Sequence, residues 1–269
     1  YDMVGVVDKV GKGVSAFKEG DRVADLTVTG SHAEYICLPE SRLVRAPNDI
    51  DPTKAVSVVL AYVTAFQLLR RMTNVKGNEV VLVHGAAGAV GTALLQLGNL
   101  LGLRMYGSDI GNKTKTIAEL GATPIDCQQQ DFVQVVKIQG GAHVVLDPIG
   151  GENLKRSFRA LKTGGILVGY GFYNAVLGKS GNIPLDFIRI KLWNTLPNGR
   201  SSVFYSIGAL RKKHPEWFKK DLYQLFDWLK NDKIKPVIAK ELPLDQIRHA
   251  HQLIESGKPT GKVVLRIGY

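Results

Sequence analysis

Cysteine is nearly absent. The 269 residues hold two, Cys37 and Cys127, far apart in sequence. They form no metal-type spacing, and they point to free thiols in a reducing, cytoplasmic compartment. Long hydrophobic runs are missing as well. No stretch approaches the roughly 18 uninterrupted apolar residues of a membrane helix, so no membrane span is expected. Asp2, Asp8 and Lys9 fall within the first ten residues and break any signal-peptide pattern there. The chain opens at Tyr1 directly in an extended pattern, Met3-Val4-Gly5-Val6-Val7, so a further segment ahead of it is expected. Internal repeats and low-complexity segments are also lacking. Acidic residues are in deficit, 24 against 35 basic ones, for a net charge of +11.

What is present fits a globular protein. Apolar residues make up 45%, enough for a full core, and the length suits two domains. The positive excess is local: residues 189–235 alone carry +7, around Arg211-Lys212-Lys213 and Lys219-Lys220. Such a stretch is either a solvated helix face or a surface for an anionic cofactor, nucleic acid or membrane. Phe218, Leu222, Leu225, Phe226 and Leu229 recur at helical core spacing rather than as a base-stacking platform. That favours the solvated face, and no nucleic-acid partner is expected.

The richest segment is Val80-Val-Leu-Val-His-Gly-Ala-Ala-Gly-Ala-Val-Gly91. A buried strand over 79–83 runs into a small-residue turn, and an apolar helix pattern continues to Leu101. Ala86-x-Gly88-x-x-Gly91 matches the dinucleotide template G-x-G-x-x-G with Ala in the first position. Small residues let the backbone approach a pyrophosphate, and the N–H groups at a helix start face its charge. The expected cradle is Ala87, Gly88, Ala89 and Val90. A turn that only packs helix on sheet is the alternative.

Around this motif the chain changes period twice. Residues 1–49 read as short strands, Val4–Val10 and Ala33–Leu38, separated by turns. Asp51 caps a helix with Pro52 in its first turn, and apolar positions run from Ala55 to Leu69. Strands at 79–83, 104–107, 123–126, 142–147 and 165–170 alternate with helices at 88–101, 112–120, 131–138 and 151–161. That alternation predicts an α/β fold with a doubly wound parallel sheet. Residues 174–199 read as less regular. A strand at 202–205, a helix at 214–230, then 237–242, a helix over 245–255 and a strand at 262–267 complete the chain. The expected domains are 1–49 with 237–269, β-rich, and 50–236, dinucleotide-binding.

Several motifs now form an ordered set: Tyr1-Asp2-Met3-Val4-Gly5-Val6-Val7, Phe17-Lys18-Glu19-Gly20-Asp21-Arg22-Val23, Tyr62-Val63-Thr64-Ala65 and Val83 to Gly91. Glu119-Leu120-Gly121-Ala122, Asp147-Pro148-Ile149-Gly150-Gly151, Lys235-Pro236-Val237-Ile238 and Gly261-Lys262-Val263-Val264-Leu265 follow. Over nearly its whole length the chain resembles the medium-chain dehydrogenase/reductase superfamily, in the zinc-less quinone oxidoreductase branch of zeta-crystallin and the VAT-type proteins. The resemblance implies a Rossmann sheet beside a partial GroES-like domain, built from both chain ends. It implies reduction of a quinone or α,β-unsaturated carbonyl by hydride transfer from NADPH, and a homodimer. An NAD(P)H-binding protein with little turnover, in a crystallin-like, interaction or RNA-binding role, is the alternative.

Zinc-dependent relatives place a His-Glu pair where this chain has Tyr1-Asp2, and a catalytic zinc needs three protein ligands. The four clustered cysteines of a structural zinc site are missing. His249 and His251, two apart on a helix, point to different faces. No metal is expected. For the cofactor, Asp109 ends the second strand, where an acidic residue commonly binds the ribose of NAD. However, Ser108 occupies the aligned position. NADPH-using relatives place a 2′-phosphate lysine at the spacing of Lys113, nine residues before Ala122. The balance favours NADPH, with NADH as the alternative. Both side chains could also belong to a solvated loop. In relatives the threonine matching Thr64 lies near the nicotinamide, where a hydroxyl can donate to the cofactor or to an enolate oxygen. The other possibility is a bond to its own helix. Tyr62 either shapes the acceptor pocket or packs. Gly171, Tyr205 and Ser206, at strand ends, are candidate contacts to the cofactor.

Overall fold

A computed structural model describes residues 1–176, 178 and 182–268. The chain divides into two compact units, residues 1–64 with 208–269, and residues 65–207.

The second unit is a six-stranded sheet of β4 (Val80–His84), β5 (Arg104–Asp109), β6 (Thr123–Asp126), β7 (Ala142–Asp147), β8 (Leu161–Gly169) and β9 (Ser201–Phe204). Every neighbouring pair is parallel. The order is β6-β5-β4-β7-β8-β9. Counted within the unit this is 3-2-1-4-5-6, the doubly wound order expected. All five residues of β4 are buried, as a central parallel strand requires. Val80 and Leu82 join a core with Phe132, Val136, Leu154 and Phe158 from the helices Phe132–Ile138 and Glu152–Ala160. On helix Ala89–Leu100, a Cβ at Gly98 would meet the Met105 thioether at 2.3 Å, so glycine there sets a close packing against β5.

The first unit holds β1 (Met3–Val6), β2 (Arg22–Asp25) and β3 (Val44–Arg45) as an antiparallel meander. β10 (Ile238–Pro243) and β11 (Lys262–Arg266) pair in parallel around helix Ile247–Glu255. The fully buried Asp25 carboxylate lies between two guanidinium groups, Arg42 at 2.6 Å and Arg211 at 2.5 Å. Arg211 also donates to the carbonyl of Leu26 and lies over the Phe218 ring. Arg211, the first residue of the basic triplet, is thus spent inside the unit. Lys230 pairs with Asp49 at 2.8 Å.

Helix Pro215–Lys230 lies in the first compact unit. Its buried Phe218, Leu222, Leu225 and Phe226 turn inward, and Arg211 ties the preceding segment to Asp25. Several expectations need correction. The strand expected at Val4–Val10 stops at Val6, and no strand forms at Ala33–Leu38, where Ala33 and Glu34 lie in a bend. The helix from Pro52 to Met72 is continuous, but Val58–Tyr62 and Leu68–Met72 are wide π turns. It is the one described helix long and apolar enough to cross a membrane, and most of it is buried inside the protein. The stretch read as less regular contains helix Ile183–Trp193, whose Asn182 cap accepts the Leu185 N–H at 3.1 Å. Its pattern is mixed: Asp186 is buried beside Ile190 while Phe187, Ile188 and Leu192 are exposed. Asp186 accepts from the Gly151 N–H at 2.7 Å and pairs with Arg189 at 3.0 Å, which accounts for a carboxylate on the inner face.

Candidate functional site

The strand order reverses beside β4, between β5 and β7, and open parallel sheets bind ligands at the carboxyl ends of such strands. The turn leaving β4 there is made by close backbone approach. Gly85 takes φ 61°. The Gly88 N–H returns to the Gly85 carbonyl at 3.0 Å. A Cβ on Gly91 would lie 2.3 Å from the Gly85 oxygen and 2.6 Å from two Ala86 backbone atoms. Gly88 caps helix Ala89–Leu100, and Thr92 donates to the Gly88 carbonyl at 2.8 Å. The N–H groups of Ala89, Val90 and Gly91 precede that bond and sit at the positive end of the helix.

Ser108 and Asp109 end β5 beside this turn. Ala86 donates its N–H to the Ser108 carbonyl at 3.2 Å. Asp109 Oδ2 accepts the Ala87 N–H at 3.1 Å, and Oδ1 accepts the Ile110 N–H at 2.9 Å. Lys113 Nζ stands 4.0 Å from Asp109 Oδ1, and each side chain is only 11% exposed. Both are therefore built into the β5 end rather than waving in solvent. Asp109 is committed to holding the glycine-rich turn.

Beneath the turn runs a buried polar chain. Ser108 Oγ lies 2.6 Å from His84 Nδ1, and His84 Nε2 lies 3.0 Å from Ser157 Oγ. Ser157 donates to Asp147 Oδ2 at 2.6 Å. Asp147 Oδ1 accepts the N–H groups of Ile149 at 2.7 Å and Gly150 at 3.1 Å, and Oδ2 also accepts from Asn153. His84 packs edge-on to Phe132, ring centres 4.5 Å apart. Burial pushes its pKa down, against the Asp147 charge and with help from Arg156. The imidazole is neutral at pH 7.

The opposite wall follows β7, β8 and β9. A Cβ on Gly171 would lie 2.9 Å from the Pro148 carbonyl oxygen, another backbone approach only glycine permits. Burial, and then the Asp147 charge, push the Tyr170 phenol far above its ordinary range, so it stays protonated. Tyr205 is buried, and its hydroxyl donates to Gln67 Oε1 at 2.8 Å. Ser206 follows it and is exposed. Ala87 to Val90, Ser108, Asp109 and Lys113 thus gather at adjoining strand ends, with Gly171, Tyr205 and Ser206 at the ends of β8 and β9. Tyr62 and Thr64 lie in the first unit, in the Pro52–Met72 helix, both buried.

Among the described residues, no three His, Cys, Asp or Glu side chains gather to hold a metal ion. The Asp2 carboxylate is held by the Lys262 ammonium group, both largely buried. Sequence reasoning passed over His84, Asp147 and Ser157. The available signal was a polar residue directly after an apolar run, as His84 follows Val80–Val83 in β4 and Asp147 follows Val144–Leu146 in β7.

The zinc-binding dehydrogenase family model matches residues 120–265, and the alcohol dehydrogenase GroES-like domain matches residues 1–48. A quinone oxidoreductase-like protein 2 homolog of Nematostella vectensis is 30% identical over 98% of the chain and 72% of its own length. The curated relatives are longer, and the chain spans 56–78% of their length. Among solved structures, a mycobacterial protein complexed with NADPH superposes with a TM-score of 0.86 at 28% identity, over 98% of this chain and 80% of that one. Escherichia coli quinone oxidoreductase complexed with NADPH gives 0.84 at 26% identity, over 97% and 80%. The chain belongs to the medium-chain dehydrogenase/reductase superfamily, in its quinone oxidoreductase-like branch.

Proposed function

We propose that the chain binds NADPH and reduces a quinone or an α,β-unsaturated carbonyl without zinc. The carrying observation is the cradle at the β4 turn: Gly91 seated against the Gly85 carbonyl leaves room for no side chain, and a helix start follows. The residues fit a dinucleotide. N–H groups of Ala89, Val90 and Gly91, with Ala87 and Gly88 shaping the turn, hold the pyrophosphate. Lys113 offers an ammonium to the 2′-phosphate. Asp109, already bonded to Ala87 and Ile110, serves the turn instead of a ribose, which favours NADPH over NADH. Ser108 supports the adenosine side from below.

NADPH supplies a hydride when bound. The protein's part is to orient the donor and acceptor and to exclude water. Gly171, Tyr205 and Ser206 border the nicotinamide side, and Tyr62 and Thr64 serve the acceptor, Thr64 as a hydroxyl donor to a developing oxyanion. An electron-poor acceptor needs no Lewis acid. The zinc-free reading is supported by Tyr1-Asp2 at the ligand positions and by the engagement of Asp2 with Lys262. The domains are proposed as 1–49 with 237–269 and 50–236 by likeness to the family, although the compact units divide the chain elsewhere. A homodimer fits the exposed Phe187, Ile188 and Leu192 on the helix beside the β9 edge.

The test is fluorescence titration of the chain with NADPH and NADH, followed by NADPH oxidation with an ortho-quinone and an alkenal. Tighter NADPH binding and turnover with either acceptor are expected. Failure to bind NADPH would overturn the reading. Tight binding without turnover would favour a non-catalytic binding protein.

A further inference from the structure

We propose that Ser108, His84, Ser157 and Asp147 form a directional hydrogen-bond thread that holds the two walls of the crevice in register, coupling the turn after β4 to the turn after β7. The walls act on a cofactor only if the dinucleotide reading holds, but the coupling itself does not depend on it.

The proton order follows from the partners. Asp147 accepts from four donors: two backbone N–H groups, Asn153 and Ser157. The single Ser157 proton goes to Asp147, so Ser157 Oγ must accept from His84 Nε2–H. A neutral imidazole then has a bare Nδ1, which accepts the Ser108 hydroxyl proton. Every bond points the same way, from Ser108 toward Asp147. At one end the main chain of Ser108 receives the Ala86 N–H of the glycine-rich turn. At the other end Asp147 fixes Ile149 and Gly150. All four side chains are buried, so no water competes and a broken link leaves an unpaired polar group. The thread is the continuous polar path beneath both turns, and its members are positioning residues that need touch no substrate.

Amide hydrogen exchange on the cofactor-free chain tests this at Ala86–Gly88 and at Ile149–Gly150, scaled to the β7 core amides of Val144–Leu146 to remove global opening. Cutting the thread at its centre with Ser157→Ala should speed exchange at both turns by about fivefold, the worth of one buried hydrogen bond. Ser108→Ala, at the far end, should speed exchange at Ile149 and Gly150, because coupling is reciprocal. Ser157→Thr keeps the hydroxyl and should restore protection. Asn153→Ala removes a different donor from Asp147 and should affect only the nearer turn. The thread is refuted if Ser157→Ala leaves Ala86–Gly88 unchanged, or if the Ser108→Ala effect stays on its own side. The second arm is NADPH titration, where Ser157→Ala should weaken binding about fivefold. An unchanged affinity despite loosened turns would remove the cofactor role. No NADPH binding by the wild-type chain would sink the functional reading while the exchange result still decides the thread.

Discussion

Replacing Gly91 with alanine sets two effects of opposite sign against each other. Gly91 lies in the first turn of helix Ala89–Leu100, and alanine is a better helix former by about 1 kcal/mol. Against that gain, the new methyl would stand 2.3 Å from the Gly85 oxygen and 2.6 Å from the carbonyl carbon and Cα of Ala86, all backbone atoms. Ordinary contact begins near 3.4 Å, so the turn must retreat by about 1 Å. Overpacking of this kind costs roughly 1–3 kcal/mol, and more where nothing can swing aside. The clash wins, and the retreat moves the N–H groups meant for the phosphates. Gly98→Ala in the same helix is the matched control. Its methyl meets the Met105 thioether at 2.3 Å, a flexible side chain that can rotate away. Scanning calorimetry should show Gly91→Ala melting several degrees lower, about 2–4 °C per kcal/mol for a chain of this size. Gly98→Ala should shift less. NADPH titration should lose detectable binding for Gly91→Ala and change little for Gly98→Ala. Equal behaviour of the two variants in both assays would refute the close-approach reasoning.

Lys113→Ala should weaken NADPH roughly 10- to 150-fold, the equivalent of about 1.5–3 kcal/mol for a charge-assisted bond, while NADH changes little. Equal losses in parallel titrations would show that Lys113 reads no phosphate. Asp25→Ala leaves Arg42 and Arg211 without their shared carboxylate. Removing one partner of a buried pair costs about 3–5 kcal/mol. The 38% exposed Arg42 and 17% exposed Arg211 retain some water, so the lower end is expected in urea unfolding. His84 is held neutral, its pKa lowered by burial, so the unfolded chain takes up this proton first as pH falls. Its contribution is therefore full above the ordinary histidine pKa of about 6.5. Below that it is lost toward the lowered value, at up to about 1.4 kcal/mol per pH unit. His84→Gln should flatten that part of the stability profile, and an unchanged slope would contradict a neutral buried imidazole.

The parallel sheet was legible because strand and helix patterns alternate from 79 to 170, five strands with four helices between them, led by the apolar run of β4. The glycine-rich turn was legible for the same reason: small residues at fixed spacing have few other uses. Asp109 was ambiguous in sequence. Whether a carboxylate faces a ribose or a neighbouring N–H depends on the approach of two strand ends, which no local pattern records. Helix Ile183–Trp193 was missed because Asp186 sits on its inner face beside Ile190 while Phe187, Ile188 and Leu192 face outward, which breaks the helical apolar pattern. The buried thread was missed because Ser108, His84, Asp147 and Ser157 come from four separate elements, and only strand order makes them neighbours.

The wide turns at Val58–Tyr62 and Leu68–Met72 have a bearing on how this gene can change length. A π turn closes its hydrogen bond over i→i+5 and an α turn over i→i+4, so each wide turn accommodates one surplus residue. Deleting one residue inside either turn would relax it to α geometry while the flanking faces keep their bearing. A deletion in the regular stretch Val63–Gln67 would rotate everything after it by about 100°, the angle per residue of a 3.6-residue turn. Single-residue deletions should thus be tolerated within the two wide turns and rejected between them, an uneven map of permitted indels along one helix.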